Sequence, residues 1–212
     1  MQHAVSRPRS YGGKSAEQRR AERRDALIEA ARELWRDQGW AAVTMRGVCS
    51  MARLTDRYFY ENFADRDALL VEIWDITRDE TLAMLYAAIT PHMMESPLIQ
   101  LHAVIDAMVH RIADDAVGAQ ILFGDHAGSA VLERRRRDTI QTAVAIFLEL
   151  SRPYLKADAD ETKLRVSVMI GIGGFVESVL AWRSGALALS VDELIDSLDL
   201  VGTSLAQDFL NV

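Results

Sequence analysis

A single cysteine among 212 residues removes two classes of protein at once. No disulfide framework and no Cys-rich zinc module can be built from it, and a reducing compartment suits such a chain. Proline is nearly as scarce. Pro8, Pro91, Pro97 and Pro153 are the whole set, and the last three fall between periodic segments, where a helix must stop. Apolar and polar residues nowhere alternate strictly over the length of a strand, which argues against a sheet. Met1 to Lys14 hold no apolar run of the kind a signal peptide needs. The most hydrophobic stretch, Val166 to Val176, lies between Arg165 and Glu177, well short of the ~20 residues that cross a bilayer. A cytoplasmic protein with no membrane partner is expected. Enzyme signatures are missing too: no Gly-x-Ser-x-Gly elbow, no Walker loop, no His-Glu-x-x-His. No catalytic residue and no cofactor are therefore expected.

What is present is a folded, uneven chain. Half the residues are apolar and 26% are charged, the balance of a globular protein. The net charge of -7 would disfavour a polyanion partner if it were evenly spread. Residues 1–66 hold 13 Lys+Arg against 9 Asp+Glu, or +4, which leaves 11 against 22, or -11, for the rest. A basic amino-terminal third on an acidic body fits a small module that meets nucleic acid, or a solvated helix start.

Apolar spacing reads as helix almost throughout, so the expected class is all-α with about nine helices. They are placed at 15–38, 44–51, 55–62, 66–90, 97–114, 116–124, 129–152, 159–184 and 191–210. Three parts follow: a flexible basic arm over 1–14, a three-helix unit over 15–66, and a larger helical body over 67–212. In the first helix Leu27, Ala30, Ala31, Leu34 and Trp35 form one stripe, and Gly39 can end it. Thr44 can cap a short helix whose Met45, Val48, Cys49 and Ala52 share a face. Arg53 and Leu54 then lead to Thr55, a second cap, and to a helix with Phe59 and Phe63 one turn apart. Two helices this short, joined by a tight turn, make sense as a helix-turn-helix docked on a longer helix. The second would enter a major groove with Thr55, Asp56, Arg57, Tyr58, Tyr60 and Asn62 on its free surface. Arg can pair with guanine and Asn with adenine, while hydroxyls and aromatic edges suit phosphate and thymine methyl.

From about Arg24 to Leu70 the chain resembles the tetracycline-repressor (TetR-type) family of transcription regulators. The resemblance lies in Ala30-Ala31-Arg32-Glu33-Leu34-Trp35 with Gly39-Trp40, Thr44-Met45-Arg46-Gly47-Val48, Phe59-Tyr60-Glu61-Asn62-Phe63 and Asp65-Arg66-Asp67-Ala68-Leu69-Leu70. Beyond it the likeness is in length, helical content and Trp182-Arg183-Ser184-Gly185 before a last amphipathic helix. It implies a ligand-responsive regulator, more often a repressor, that binds double-stranded DNA. Thr44, Arg46, Tyr60 and Arg66 would face phosphates, and Thr55, Asp56, Arg57 and Tyr58 the base edges. Three departures stand out. Arg53 replaces a usual turn glycine, so either the turn avoids positive φ or Arg53 bears a strain. Tyr58 replaces a usual Thr, and Glu61 sets an acid beside the backbone.

The resemblance further implies a homodimer through the last two long helices, and hence a palindromic operator. Independently, Ser167, Gly171, Gly174, Ser178 and Ala181 form a small-residue stripe along 159–184 that would admit a close helix, from a second copy or from the same chain. It also implies a small-molecule effector cavity in the body. Trp74, Tyr86, His102, Met108, His110, Phe123 and Phe147 are its expected lining, types that equally fill a core. His102, Asp106 and His110 share a helix face, but the outer two lie roughly 12 Å apart along the axis, so a polar face is expected there ahead of a metal. Arg134 to Arg137 point all round a helix, which suits a solvated turn more than an anionic ligand. Cys49 reads as packing. The competing class is a helical ligand-binding or scaffold protein without DNA.

Overall fold

Helix formation starts at Ser15. Its hydroxyl accepts the Gln18 N–H, and the Gln18 side chain accepts the Ser15 N–H, so two end donors are satisfied reciprocally. The computed structural model describes residues 15–211, and the arm expected over 1–14 lies outside them. Helix α1 runs Ala16–Gln38. Gly39 ends it at a φ of 81°, which glycine adopts without a Cβ clash, and donates its N–H to the Trp35 carbonyl. After a 3-10 turn at Trp40–Ala42 come α2 (Met45–Ala52) and α3 (Asp56–Tyr60). The body holds α4 (Arg66–Ile89), α5 (Pro97–Asp114), α6 (Ala116–Phe123), α7 (Ala130–Ser151), α8 (Glu161–Arg183) and α9 (Val191–Ala206). The described residues form nine α-helices and no strand, only an isolated antiparallel bridge between Leu155 and Leu210.

Two helices end earlier than their apolar spacing suggests. In α3 the Glu61 N–H bonds the Arg57 carbonyl and the Asn62 N–H bonds the Phe59 carbonyl, a tightened last turn. Helix α9 stops at Ala206 because the chain turns back. Phe209 accepts the Lys156 N–H and Asn211 donates its N–H to the Tyr154 carbonyl, tying the end to the α7–α8 connection.

The largest apolar cluster unites the first three helices with the body. Leu27, Leu34 and Trp35 of α1, Val48 of α2, Phe59 and Phe63 around α3, and Leu69, Leu70, Ile73 and Trp74 of α4 are buried together with Ile121, Leu122 and Leu132 of α6 and α7. A division at residue 66 therefore cuts through a shared core. Burying each large side chain here contributes about 1.5–3 kcal/mol. Smaller clusters hold α5 to α9 through Ile105, Val109, Leu194 and Ile195, and α7 to α8 through Val144, Leu164 and Val168. Gly202 of α9 lets α5 approach: a Cβ there would sit 2.7 Å from Leu101 Cδ2.

Candidate nucleic-acid interface

The turn between α2 and α3 resolves the question raised by Arg53. Its backbone adopts φ 54° and ψ 40°, the left-handed region, and it is the one such non-glycine among the described residues. The reward is closure of α2: the Arg53 N–H reaches the Cys49 and Ser50 carbonyls, and the Leu54 N–H bonds Cys49 at 2.9 Å. Thr44 caps the other end, its hydroxyl accepting the Gly47 N–H at 3.1 Å. Thr55 stands at the cap position of α3, but its side chain makes no capping bond. Phe59 and Phe63 are buried with their rings 5.8 Å apart. That anchors α3 by one face and leaves Thr55, Asp56, Arg57 and Tyr60 exposed on the other, with Tyr60 at 60%.

Several arginines that make this third of the chain basic are spent inside it. Arg20 donates to the Glu61 carbonyl and to Asn62 Oδ1. Arg23 lies 4.4 Å over the Tyr58 ring and 3.7 Å from the Glu61 carboxylate. Arg24 pairs with Glu72 and lies 4.9 Å over Phe63. Asn62 also donates to the Tyr58 carbonyl at 2.7 Å. These contacts brace α3 against α1 and half-bury Tyr58. Arg66 is engaged within the chain. Its guanidinium bonds the Val43, Trp40 and Ala41 carbonyls and stacks over the Trp40 ring, so it props the approach to α2.

Two cations remain. Among the described residues of α1–α3, the Arg46 and Arg53 side chains have no ion pair and no hydrogen bond, and both are exposed beside the α2–α3 surface. Arg53 was not among the expected contacts because a glycine is the usual occupant of this turn. Arg57 is exposed but pairs with Glu61. Cys49 is buried, and burial raises its thiol above the usual range, so it is a packing residue.

The expected effector residues do not line one cavity. Trp74 is fully buried in the main core, with its indole donating to the Thr139 hydroxyl. Tyr86 is exposed, and Phe147 packs between α7 and α8. His102 bonds Asp199 of α9, while His110 turns back to the Asp106 carbonyl at 2.9 Å. His102 thus parts from Asp106 and His110, whose side chains meet at 3.4 Å, and no group of three metal-binding side chains is gathered among the described residues. Met108 and Phe123 do meet, beside Ile112, Ala119, Val179, Phe175 and Trp182, and Phe123 also touches the main core. Two surface hollows of about 310 and 280 Å³ lie elsewhere. The first is charged, around Arg32, Glu33 and Glu80, and the second runs along Leu98, Ile99 and Leu101, with His102 on its wall. In the arginine run, Arg135 pairs with Asp75.

On α8 the small-residue stripe divides. Gly171 packs on Leu205 of α9, where a Cβ would lie 3.4 Å from Leu205 Cδ1. Gly173 and Gly174 face open space, flanked by exposed Val166, Met169 and Ile170 and, on α9, by Leu200 and Val201. By length and composition α8 could cross a membrane, with a mean hydropathy of 1.6 over its best window. Every 18-residue window of α8 takes in Glu177, so this apolar length is reached only by passing the charge that ends the run Val166–Val176.

Fold and surface together define a helix-turn-helix protein on a helical body. Residues 27–73 match the family described as bacterial regulatory proteins, tetR family. It is 30% identical over 117 residues to the HTH-type transcriptional regulator BetI of Rhizobium meliloti (strain 1021), a match covering 53% of this chain and little more than half, 56%, of that protein. Its fold is similar to that of a transcriptional regulator from Rhodococcus sp. Rha1, with a TM-score of 0.72, 18% identity, and 89% and 98% of the two chains covered. It is also similar to the transcriptional regulator FadR of Bacillus subtilis, solved in complex with stearoyl-CoA, with a TM-score of 0.64, 15% identity, and 85% and 96% coverage.

Proposed function

We propose that the protein is a ligand-responsive transcriptional regulator of the TetR type, more specifically a repressor. It binds a palindromic operator in double-stranded DNA as a homodimer and is released by a small apolar or amphipathic effector. One observation carries this: unpaired, exposed Arg46 and Arg53 flank a short helix that is anchored by Phe59 and Phe63 and offers Thr55, Asp56, Arg57 and Tyr60 outward. Free guanidinium groups gain phosphate contacts without first leaving a protein partner. Arg57, Asp56 and Thr55 face base edges, Tyr58 contributes less because Arg23 covers its ring, and Thr44, Arg46, Arg53 and Tyr60 hold the backbone. Residues 15–66 serve DNA binding and 67–212 the effector and the dimer, although they share a core.

The exposed apolar face of α8 and α9 supports pairing with a second copy. A soluble monomer would have little reason to keep Ile170 at 59% exposure on α8, which also carries two open glycines, and Leu200 at 70% on the helix packed against it. The same pairing accounts for an apolar α8 without a membrane, and a protein that binds an operator works beside the chromosome in the cytoplasm. The effector seats among Met108, Phe123, Phe175 and Trp182, between α5, α6 and α8, where Phe123 links the cluster to the core around Trp35 and Trp74. A wedge there tilts α4 and α6 against the DNA-binding helices.

Selection of bound duplexes from a random-sequence pool tests the proposal. Enrichment of a two-fold symmetric site, with affinity falling steeply as salt rises, is the expected result. A chain that enriches no sequence is a helical binding protein without an operator.

A further inference from the structure

The turn between α6 and α7 sends one side chain inward. His126 is 3% exposed, lying edge-on to Trp74 at 5.0 Å between ring centroids and to Trp35 at 6.1 Å. Neither of its ring nitrogens makes a well-formed hydrogen bond, although the Ile121 carbonyl lies close enough to favour a proton on the ring. A buried imidazole with no partner costs stability that an apolar residue of similar size would not, so its presence calls for another reason. Its position supplies one. Trp35 belongs to α1 of the DNA-binding unit, whereas Trp74 belongs to α4 and is fixed to α7 through Thr139. The turn itself is closed by its own bonds, Ala127 N–H to Asp125 and Ser129 N–H to the His126 carbonyl. The ring is therefore held in the seam by its packing and by the nearby Ile121 carbonyl, not by a bond to any side chain.

We propose that His126 is a proton-operated wedge: uncharged, it locks α1 to α4 and α7, and charged, it leaves the seam and frees the DNA-binding helices from the body. Burial lowers its proton affinity below the ordinary value of 6.5, and Arg136 of α7 acts in the same direction. The Ile121 carbonyl at the end of α6, Asp125 in the turn and Glu133 of α7 oppose them. Helices α1 and α4 meet the ring with indoles, and the charges next to those indoles are engaged elsewhere, Arg36 with Asp37 and Asp75 with Arg78 and Arg135. Charging is therefore unfavourable in place. The locked arrangement is complete above pH 6.5 and is lost as the pH falls through the lowered value. Phe123, three residues before His126, belongs to the proposed effector cluster, so a proton and an effector would act on the same turn.

This inference rests on the DNA-binding proposal only for its second readout. The test is a titration of the full chain from about pH 7.5 to 5, following tryptophan emission and affinity for the selected duplex. The wild type should shift its emission to the red and lose affinity by roughly tenfold or more. His126→Phe, which fills the seam without titrating, should hold both. If that variant fails to fold by circular dichroism, His126→Gln replaces it with the same expectation. Trp40 and Trp182 contribute alike to all three proteins, so the difference reports the seam. An unchanged wild-type emission, or variants that titrate in parallel with the wild type, overturns the proposal. Absence of DNA binding at the upper pH would instead remove the operator reading, and the emission arm would still decide the wedge.

Discussion

On α3 the Arg57 Nε donates to Glu61 Oε1 at 2.9 Å, one helical turn away, although the Arg57 side chain is 84% exposed. In the proposed complex Arg57 would thus meet DNA already aimed by an acid. Glu61 is itself held from behind by Arg23. The pair orients the guanidinium and tempers its attraction to any phosphate that passes.

Arg57→Ala should cost about 1–3 kcal/mol of operator affinity and relax the preference at one position of the site. Glu61→Gln should strengthen binding to unrelated duplexes more than to the operator, narrowing specificity from the other side. Anisotropy titrations against both duplexes check the two together. Equal changes on both duplexes in both variants would show that the pair is a surface ornament.

Arg66 should behave as a prop. Arg66→Met removes its bonds to the Trp40, Ala41 and Val43 carbonyls, and bonds from a charged donor contribute about 1.5–3 kcal/mol. Thermal unfolding should fall accordingly, while the slope of log affinity against log salt stays as in the wild type. A shallower slope would return Arg66 to the phosphate backbone.

Arg53→Gly separates strain from function. Glycine relieves the left-handed backbone, which costs a side-chain-bearing residue about 1 kcal/mol or more, yet it deletes an unpaired cation. Chemical denaturation should report a gain in stability while the duplex titration reports weaker, less salt-dependent binding.

The paired face admits a direct test. Ile170→Glu or Leu200→Glu alters exposed positions, so the isolated fold should change by less than about 0.5 kcal/mol, but the dimer should dissociate in light scattering. Gly174→Trp, which meets nothing within the chain, should do the same. A dimer unaffected by all three would have to use another surface.

His102 should give a pH dependence of opposite sign to His126. Its bond to Asp199 raises its proton affinity above 6.5. The stabilising tie between α5 and α9 is therefore complete below pH 6.5 and fades as the pH rises through the raised value. Both partners are partly solvated, so the effect should stay below about 1 kcal/mol. Comparing the wild type with His102→Gln by denaturation across that range reads it, and a difference that grows with pH would contradict it.

Much of this was legible in the sequence because it is local. Helix ends follow from short-range bonding, and Thr44 and Asp65 cap as their spacing implies, the latter accepting the Ala68 N–H. Stripes such as Leu27, Ala30, Ala31, Leu34 and Trp35 are buried because a helix with one apolar side has one way to hide it. The short third helix was legible down to its aromatic anchors, but Thr55 looked like a cap and does not act as one.

The sequence by itself determined the helices, the helix-turn-helix and the buried faces, since periodicity and capping involve neighbours within one or two turns. Only the tertiary structure decided where long polar side chains go. Arg20 finds Asn62 across 42 positions, Arg66 finds Trp40 across 26, and His102 finds Asp199 across 97. No local pattern encodes such distances, because a flexible guanidinium or imidazole pairs with whatever the packing of remote helices brings within reach. The same holds for apolar residues of one type: Trp74, Met108 and Phe147 look alike in a sequence and fall into three clusters, because cluster membership depends on which helices cross.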